Sequence, residues 1–290
     1  MFYHYLHLIR IRQWTKNTLL FAPLLFARKL LDQAAFLQCL AAFSSFCLLS
    51  SFIYVLNDYF DREKDKKHPQ KKDRPLASGV VKEKQAIVLA FLLLIFSFLI
   101  SFLLVNKSFI FLQLFYLLLM LSYTFFLKNL VIIDVLVIAT GFILRAYGGA
   151  LAISVPLSTW LLICAFLLSL FLALAKRKNE LLVLGQERGY HRQVLEQYSD
   201  RLLDQMLAIS AASVIVCYAL YTVDKSMISR NVQGIEFTLI FVIYGIFRYL
   251  YLIHSKNEGG KPEEILLSDI PLLTNIIIYS LFICVVLYGF

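Results

Sequence analysis

Charge is the scarcest commodity in this chain of 290 residues: Asp, Glu, Lys and Arg make up only 16% of it, against about a quarter in a soluble globular domain. That shortfall excludes a water-soluble enzyme of ordinary composition. Paired cysteines are also missing. Cys39, Cys47, Cys164, Cys217 and Cys284 lie singly in apolar stretches with no CxxC among them, so neither a zinc ribbon nor a disulfide framework is expected. His4, His7, His191 and His254 show no metal-ligand spacing and read as surface residues. No small-residue cleavage site follows the first apolar run, so no signal peptide should be removed. Tandem repeats and low-complexity tracts are absent as well.

What fills the space is apolar: 60% of the residues are hydrophobic, with 25 Phe and 16 Tyr, gathered in runs close to bilayer thickness. Nine spans are expected: Trp14 to Leu31, Ala34 to Leu56, Ala86 to Val105, Phe109 to Leu127, Val131 to Ile153, Leu157 to Ala175, Met206 to Val223, Phe237 to Ile253 and Pro271 to Phe290. The first is the weakest, because its uninterrupted apolar core, Thr18 to Ala27, is short and Arg28 and Lys29 must snorkel. Nine spans leave too few residues for a second soluble domain. The fold class is therefore all-α, a polytopic membrane bundle with residues 1–290 as a single domain.

Basic residues set the sidedness. Of the 28 Lys and Arg, 21 fall in the N-terminal segment and alternate loops, chiefly Arg62 to Lys84 and Lys176 to Arg201, and 5 fall on the other side. The positive-inside rule then puts the N-terminus and the polar loops in the cytoplasm, with the protein in the inner or plasma membrane. A net charge of +9 points in this setting to cytoplasmic loops and anionic ligands rather than nucleic acid.

The second span runs into Asn57-Asp58-Tyr59-Phe60-Asp61-Arg62-Glu63-Lys64-Asp65. If the helix continues, Asn57, Asp58, Asp61 and Asp65 share one face. Carboxylates stacked this way repel unless a cation lies between them, and an open set of oxygen donors suits Mg²⁺ with phosphate. The alternative is that they only neutralise Arg62, Lys64, Lys66 and Lys67. The loop beyond, His68-Pro69-Gln70-Lys71-Lys72-Asp73-Arg74-Pro75, is stiffened by its prolines. It offers Arg74 as a bidentate phosphate ligand, Lys71 as a point charge and His68 beside the acidic face. Acids and bases packed together are what a Mg²⁺-diphosphate site requires.

This pattern resembles the UbiA-type intramembrane prenyltransferase superfamily, whose first Asp-rich motif binds a diphosphate through Mg²⁺. It is most similar to the decaprenyl-phosphate phosphoribosyltransferase branch. The N-terminal motif of that branch corresponds to Arg10, Gln13, Trp14, Lys16 and Asn17, and its His-Pro-x-Lys-x-x-Arg-Pro motif to His68, Pro69, Lys71, Arg74 and Pro75. Further similar stretches lie at Gly141 to Ala146, Lys176 to Glu180, Tyr198 to Asp204 and Gly259 to Glu264. Most of the chain is covered.

A second Asp-x-x-x-Asp, which the broad superfamily carries after its sixth span, is lacking. Lys176, Arg177, Lys178 and Glu180 stand there instead. These cations either anchor the span at the headgroups or replace a second metal by direct phosphate contacts. The resemblance then implies transfer of a 5-phosphoribosyl group from phosphoribosyl pyrophosphate to a polyprenyl phosphate, a step in cell-envelope synthesis. In that scheme Asp58, Asp61 and Asp65 hold Mg²⁺ and Asn57 orients them. Lys16, Asn17, His68, Lys71, Arg74, Lys176, Arg177 and Tyr198 bind substrate phosphates. No protein nucleophile is needed. An ordinary prenyltransferase predicts the missing acidic motif. A transporter, which Asp134 and Arg145 inside spans would suggest, predicts polar residues near the midplane and inverted repeats, and the polar residues here gather at one face.

Overall fold

Eight of the nine expected segments fold as one long helix each in the computed structural model, which describes residues 2–67, 71–184, 193–224, 234–256, 265 and 268–289. In chain order the helices are α1 (Phe2–Leu8), α2 (Ala22–Phe26), α3 (Gln33–Phe60), α4 (Arg62–Lys67), α5 (Glu83–Leu104), α6 (Lys107–Phe125), α7 (Ile133–Ala152), α8 (Thr159–Leu184), α9 (Asp200–Thr222), α10 (Leu239–Lys256) and α11 (Ile270–Tyr288). No strand occurs among the described residues. Helices α3 and α5 to α11 are long and apolar enough to cross a bilayer, which makes this a multi-pass membrane protein.

Polar side chains fix where these helices begin. Asp32 accepts the Ala34 and Ala35 N–H groups at 3.1 and 3.2 Å, Asn106 accepts Phe109 N–H at 2.9 Å, and Asp269 accepts Leu272 N–H at 2.9 Å. Each satisfies backbone donors that the first turn of a helix leaves without an intrahelical partner. Ser199 caps α9, accepting Leu202 N–H at 3.1 Å. On α5, Phe91, Ile95, Phe102 and Leu103 are exposed, as expected for a helix that faces lipid.

The expected first span is the exception. Trp14 to Leu31 is no single α-helix: residues Ile11–Phe21 form a 3-10 helix that passes into α2, and Arg28, with φ of 57°, turns the chain out of it. With three residues per turn, every third side chain falls in one file. Trp14, Asn17 and Leu20 occupy that file, and all three bond to α3. Trp14 Nε1 donates to Ser51 Oγ at 3.0 Å, Asn17 Nδ2 donates to Cys47 Sγ at 3.3 Å, and the Leu20 carbonyl accepts from Cys39 Sγ at 3.2 Å. An α-helix would fan these residues apart. At ~2.0 Å per residue against ~1.5 Å in α2, Ile11–Phe26 still reaches about 30 Å.

The chain divides into two compact units, residues 1–128 with 144–156, and residues 129–143 with 157–290, so that α7 contributes its start to the second and its end to the first. The first unit is built on Phe46, Leu49 and Ile53 of α3 packed with Phe109, Leu112 and Tyr116 of α6. It also buries a polar knot. Gln113 donates to Ser45 and Ser97 at 2.8 and 2.5 Å and accepts from Ser101 at 2.7 Å, all four residues being fully buried. The second unit centres on Phe171 and Leu174 of α8, Leu203 and Leu207 of α9, and Leu252 and Ile253 of α10.

Candidate functional site

In the first unit, α3 gives way to α4 across a one-residue break at Asp61, yet the backbone bonds Asp61 N to Asn57 O (2.9 Å) and Asp65 N to Asp61 O (2.8 Å) carry the helical register through it. At ~100° per residue, Asp58 and Asp65 lie within about 20° of each other, while Asp61 stands some 40–60° to the side. The contacts follow that geometry. A single nitrogen, Arg74 Nη1, donates to Asp58 Oδ1 at 3.1 Å and to Asp65 Oδ2 at 2.6 Å, and Arg10 Nη2 also donates to Asp58 Oδ1, at 2.5 Å. Asp61 is held separately by Lys128 Nζ, 3.1 and 3.2 Å from its two oxygens. The expected convergence of all three aspartates is thus split into a pair and a single acid.

The acids lie beneath the bases. Asp58 and Asp65 side chains are 3% and 5% exposed, whereas Arg10 and Arg74 are both 26% exposed. Burial pushes the Asp65 carboxyl above the usual carboxylate range, against the pull of Arg74 and Lys71. Among the described residues no three His, Cys, Asp or Glu side chains are grouped to hold a metal ion. The donor chemistry nevertheless fits Mg²⁺: all the donors are oxygens, two carboxylates meet at one cation position, and this ion commonly takes one or two carboxylates with water and phosphate. Lys16 and Lys71 are half-buried on the 3-10 helix and the following loop, as is Asn57. His68 lies outside the described residues.

Asn17 does not reach the site expected of it. It is fully buried, its Oδ1 accepts from Arg145 Nε at 2.7 Å, and its amide points at Cys47 and Ser50. Arg145 in turn donates to Tyr116 OH at 2.6 Å and stacks 5.0 Å from that ring. The threefold file of the 3-10 helix turns Asn17 inward, where it joins three helical segments.

In the second unit, Arg177 and Tyr198 come together through Asp134. Arg177 Nε donates to Asp134 Oδ2 at 2.7 Å and Nη1 to Glu180 at 2.5 Å, while Tyr198 OH donates to Asp134 Oδ1 at 2.8 Å and accepts Ile132 N–H at 2.8 Å. Ile132 has φ of 67°, a left-handed conformation that a β-branched residue rarely adopts. Burial, and then the neighbouring Asp134 carboxylate, push the Tyr198 phenol upward, so it keeps its proton and can donate. Arg177 is 1% exposed and Tyr198 2%. In the structure both are buried among side-chain partners: i,i+3 spacing gives Arg177 to Glu180, and Tyr198 at the entry to α9 bonds the start of α7. Lys176 stays half-buried at the edge. Lys178 pairs with Asp200 at 3.2 Å and also with Asp204.

Sequence reasoning missed two cations. Lys128 is a lone base in a short connection, and its only signal was lying on the same side as the acidic motif. Arg10 stood in the N-terminal motif, and its left-handed φ of 54°, which directs the chain toward α3, is invisible in sequence.

Comparisons with known proteins agree with this architecture. The UbiA prenyltransferase family profile matches residues 18–270. The decaprenyl-phosphate phosphoribosyltransferase of Mycolicibacterium smegmatis is 35% identical over 274 residues, covering 90% of this chain and 85% of that protein. Its counterpart from Corynebacterium glutamicum is 33% identical over 265 residues, 90% of this chain and 80% of the relative. The fold is that of a UbiA homolog from Archaeoglobus fulgidus solved with DMAPP and Mg²⁺, with a TM-score of 0.73, 19% identity and 99% of each chain covered. This chain belongs to the UbiA prenyltransferase family.

Proposed function

We propose that the chain transfers a 5-phosphoribosyl group from phosphoribosyl pyrophosphate to the phosphate of a polyprenyl lipid, releasing pyrophosphate, at the cytoplasmic face of the inner or plasma membrane. One observation carries the choice of donor. Helix α8 carries Lys176, Arg177 and Lys178 in its last third and holds a single acid, Glu180, which is bound to Arg177. A second acidic pair for a prenyl diphosphate is therefore not on that helix. The relatives named for this activity, a third identical over nine-tenths of the chain, support the same reading.

Asp58 and Asp65 would hold Mg²⁺, with Asp61 as a third ligand and Asn57 orienting them, and the ion when bound would offset the charge gathering on the departing pyrophosphate. Arg74, Lys71 and Lys16 bind phosphate oxygens and hold the ribose C1 in line with the attacking lipid phosphate. In the second unit, Lys176 is a phosphate-binding candidate beside the Arg177–Asp134–Tyr198 strut. The acceptor is already anionic, so no strong general base is required. The apolar helices give the lipid tail a place to lie.

The test uses purified protein with Mg²⁺ and labelled phosphoribosyl pyrophosphate. Label should enter the lipid fraction only when a polyprenyl phosphate is supplied. Absence of transfer, with a prenyl diphosphate consumed on an aromatic acceptor instead, would reject the reading. Asp58→Asn and Asp61→Asn should nearly abolish turnover while leaving the protein folded.

A further inference from the structure

We infer that Arg10, Arg74 and Lys128 are exchange counter-ions: they neutralise Asp58, Asp65 and Asp61 until a metal-bound pyrophosphate arrives, then pass to its phosphate oxygens, so that metal and donor bind only together. The inference deepens the reading above and rests on it for the identity of the donor.

Three observations carry it. The acids are already neutralised, since each of the three aspartates has Arg10, Arg74 or Lys128 within hydrogen-bond distance and Lys71 acts on Asp65 as well. A divalent ion entering alone would leave two excess positive charges beside nearly buried carboxylates, and a pyrophosphate entering alone would leave excess negative charge. Both are costly where water is scarce. Entering together, the two largely cancel. The second observation is geometric: Arg74 Nη1 already occupies the point between Asp58 and Asp65 where a cation is shared. A metal can use both oxygens only if the guanidinium leaves.

Third, the bases are the movable partners. Arg10 and Arg74 are each about one-quarter exposed at the ends of long side chains, whereas the Asp58 and Asp65 carboxylates are fixed beneath them on helix backbone; Lys128 and Asp61 are both partly exposed, at 22% and 32%. A guanidinium exchanges a carboxylate for a phosphate with little loss, because both accept its paired N–H groups. Arg10 and Lys128 thereby join the substrate-binding residues.

The experiment measures metal and anion binding separately, without turnover. Mn²⁺ binding to purified protein is followed by loss of the free-ion electron paramagnetic resonance signal, and inorganic pyrophosphate binding by calorimetry in excess Mg²⁺. Removing an internal counter-ion by Arg74→Gln should move the two in opposite directions. Mn²⁺ alone should bind ~10-fold tighter or more, and pyrophosphate should bind ~10-fold weaker or more, within the usual range of coupling between sites. A purely structural role would weaken both, and a simple phosphate ligand would leave Mn²⁺ unchanged. Either result overturns the inference, as does tighter Mn²⁺ with unaltered pyrophosphate. Lys128→Met, acting on Asp61, provides the same test if Arg74→Gln does not fold. Pyrophosphate is common to phosphoribosyl and prenyl donors. A wild-type enzyme that shows the exchange but transfers no phosphoribosyl group would sink the proposed reaction and leave this inference standing.

Discussion

Adjacent glycines in α7 offer a controlled perturbation. A Cβ built on Gly149 would lie 2.0 Å from the Leu20 carbonyl oxygen and 2.8 Å from its carbon, both backbone atoms. A Cβ on Gly148 would meet side chains instead, Leu112 at 3.2 Å and the Phe109 and Phe46 rings at 3.4 and 3.6 Å. Gly149→Ala must therefore push the 3-10 helix away by more than about 1 Å to restore van der Waals contact. The Asn17–Arg145 bond of 2.7 Å would then stretch past hydrogen-bonding range. Overpacking costs about 1–3 kcal/mol, and a lost buried bond to a charged group about 1.5–3 kcal/mol, so the variant should lose roughly 3–6 kcal/mol. Gly148→Ala should stay within about 1 kcal/mol of wild type, since a leucine methyl can give. SDS-titrated unfolding in mixed micelles would measure both. The chain has two tryptophans, Trp14 and Trp160, and a Trp160→Phe background makes Trp14 emission a reporter of the 3-10 helix itself. Equal stability of the two alanine variants would refute the close approach on which the reasoning rests.

Other substitutions test the remaining polar contacts. Arg177→Met alone should destabilise by about 3–5 kcal/mol because it strands Asp134 in the interior, while Arg177→Met with Asp134→Leu should recover most of that loss in the same unfolding assay. Tyr198→Phe strips the acceptor from Ile132 N–H and should cost about 1–3 kcal/mol. Adding Ile132→Gly, which relaxes the left-handed backbone, should restore part of the unfolding midpoint, and no restoration would remove strain from the account. Gln113→Leu cuts three bonds in the serine knot. Membrane hydrogen bonds average about 0.6 kcal/mol, so a loss of about 1–3 kcal/mol is expected, with the KM for donor unchanged.

The gross architecture was legible because hydrocarbon imposes a simple rule, a run of apolar residues for every crossing, and eight of the nine runs became helices. The exception is Trp14 to Leu31, the run with the short apolar core, where a 3-10 helix and a short α-helix stand in place of one long helix. Its file of Trp14, Asn17 and Leu20 has a period of three, visible in the sequence only to a reader looking for it. At the site, residue types were legible and pairings were not. Asp58, Asp65 and Arg74 could be grouped because they are near in sequence. The partnerships Asp61–Lys128, Asn17–Arg145 and Asp134–Arg177 join residues 67, 128 and 43 positions apart, and helix packing alone decides those. The same packing gives Asn17, Arg177 and Tyr198 buried side-chain partners.

The narrow-pitched stretch near the N-terminus is also a constraint on length. Inserting or deleting one residue between Trp14 and Leu20 would rotate everything beyond it by about 120°, unthreading the downstream bonds to α3 together. For this short ribbon the spacing of residues is as much a part of the message as their identity.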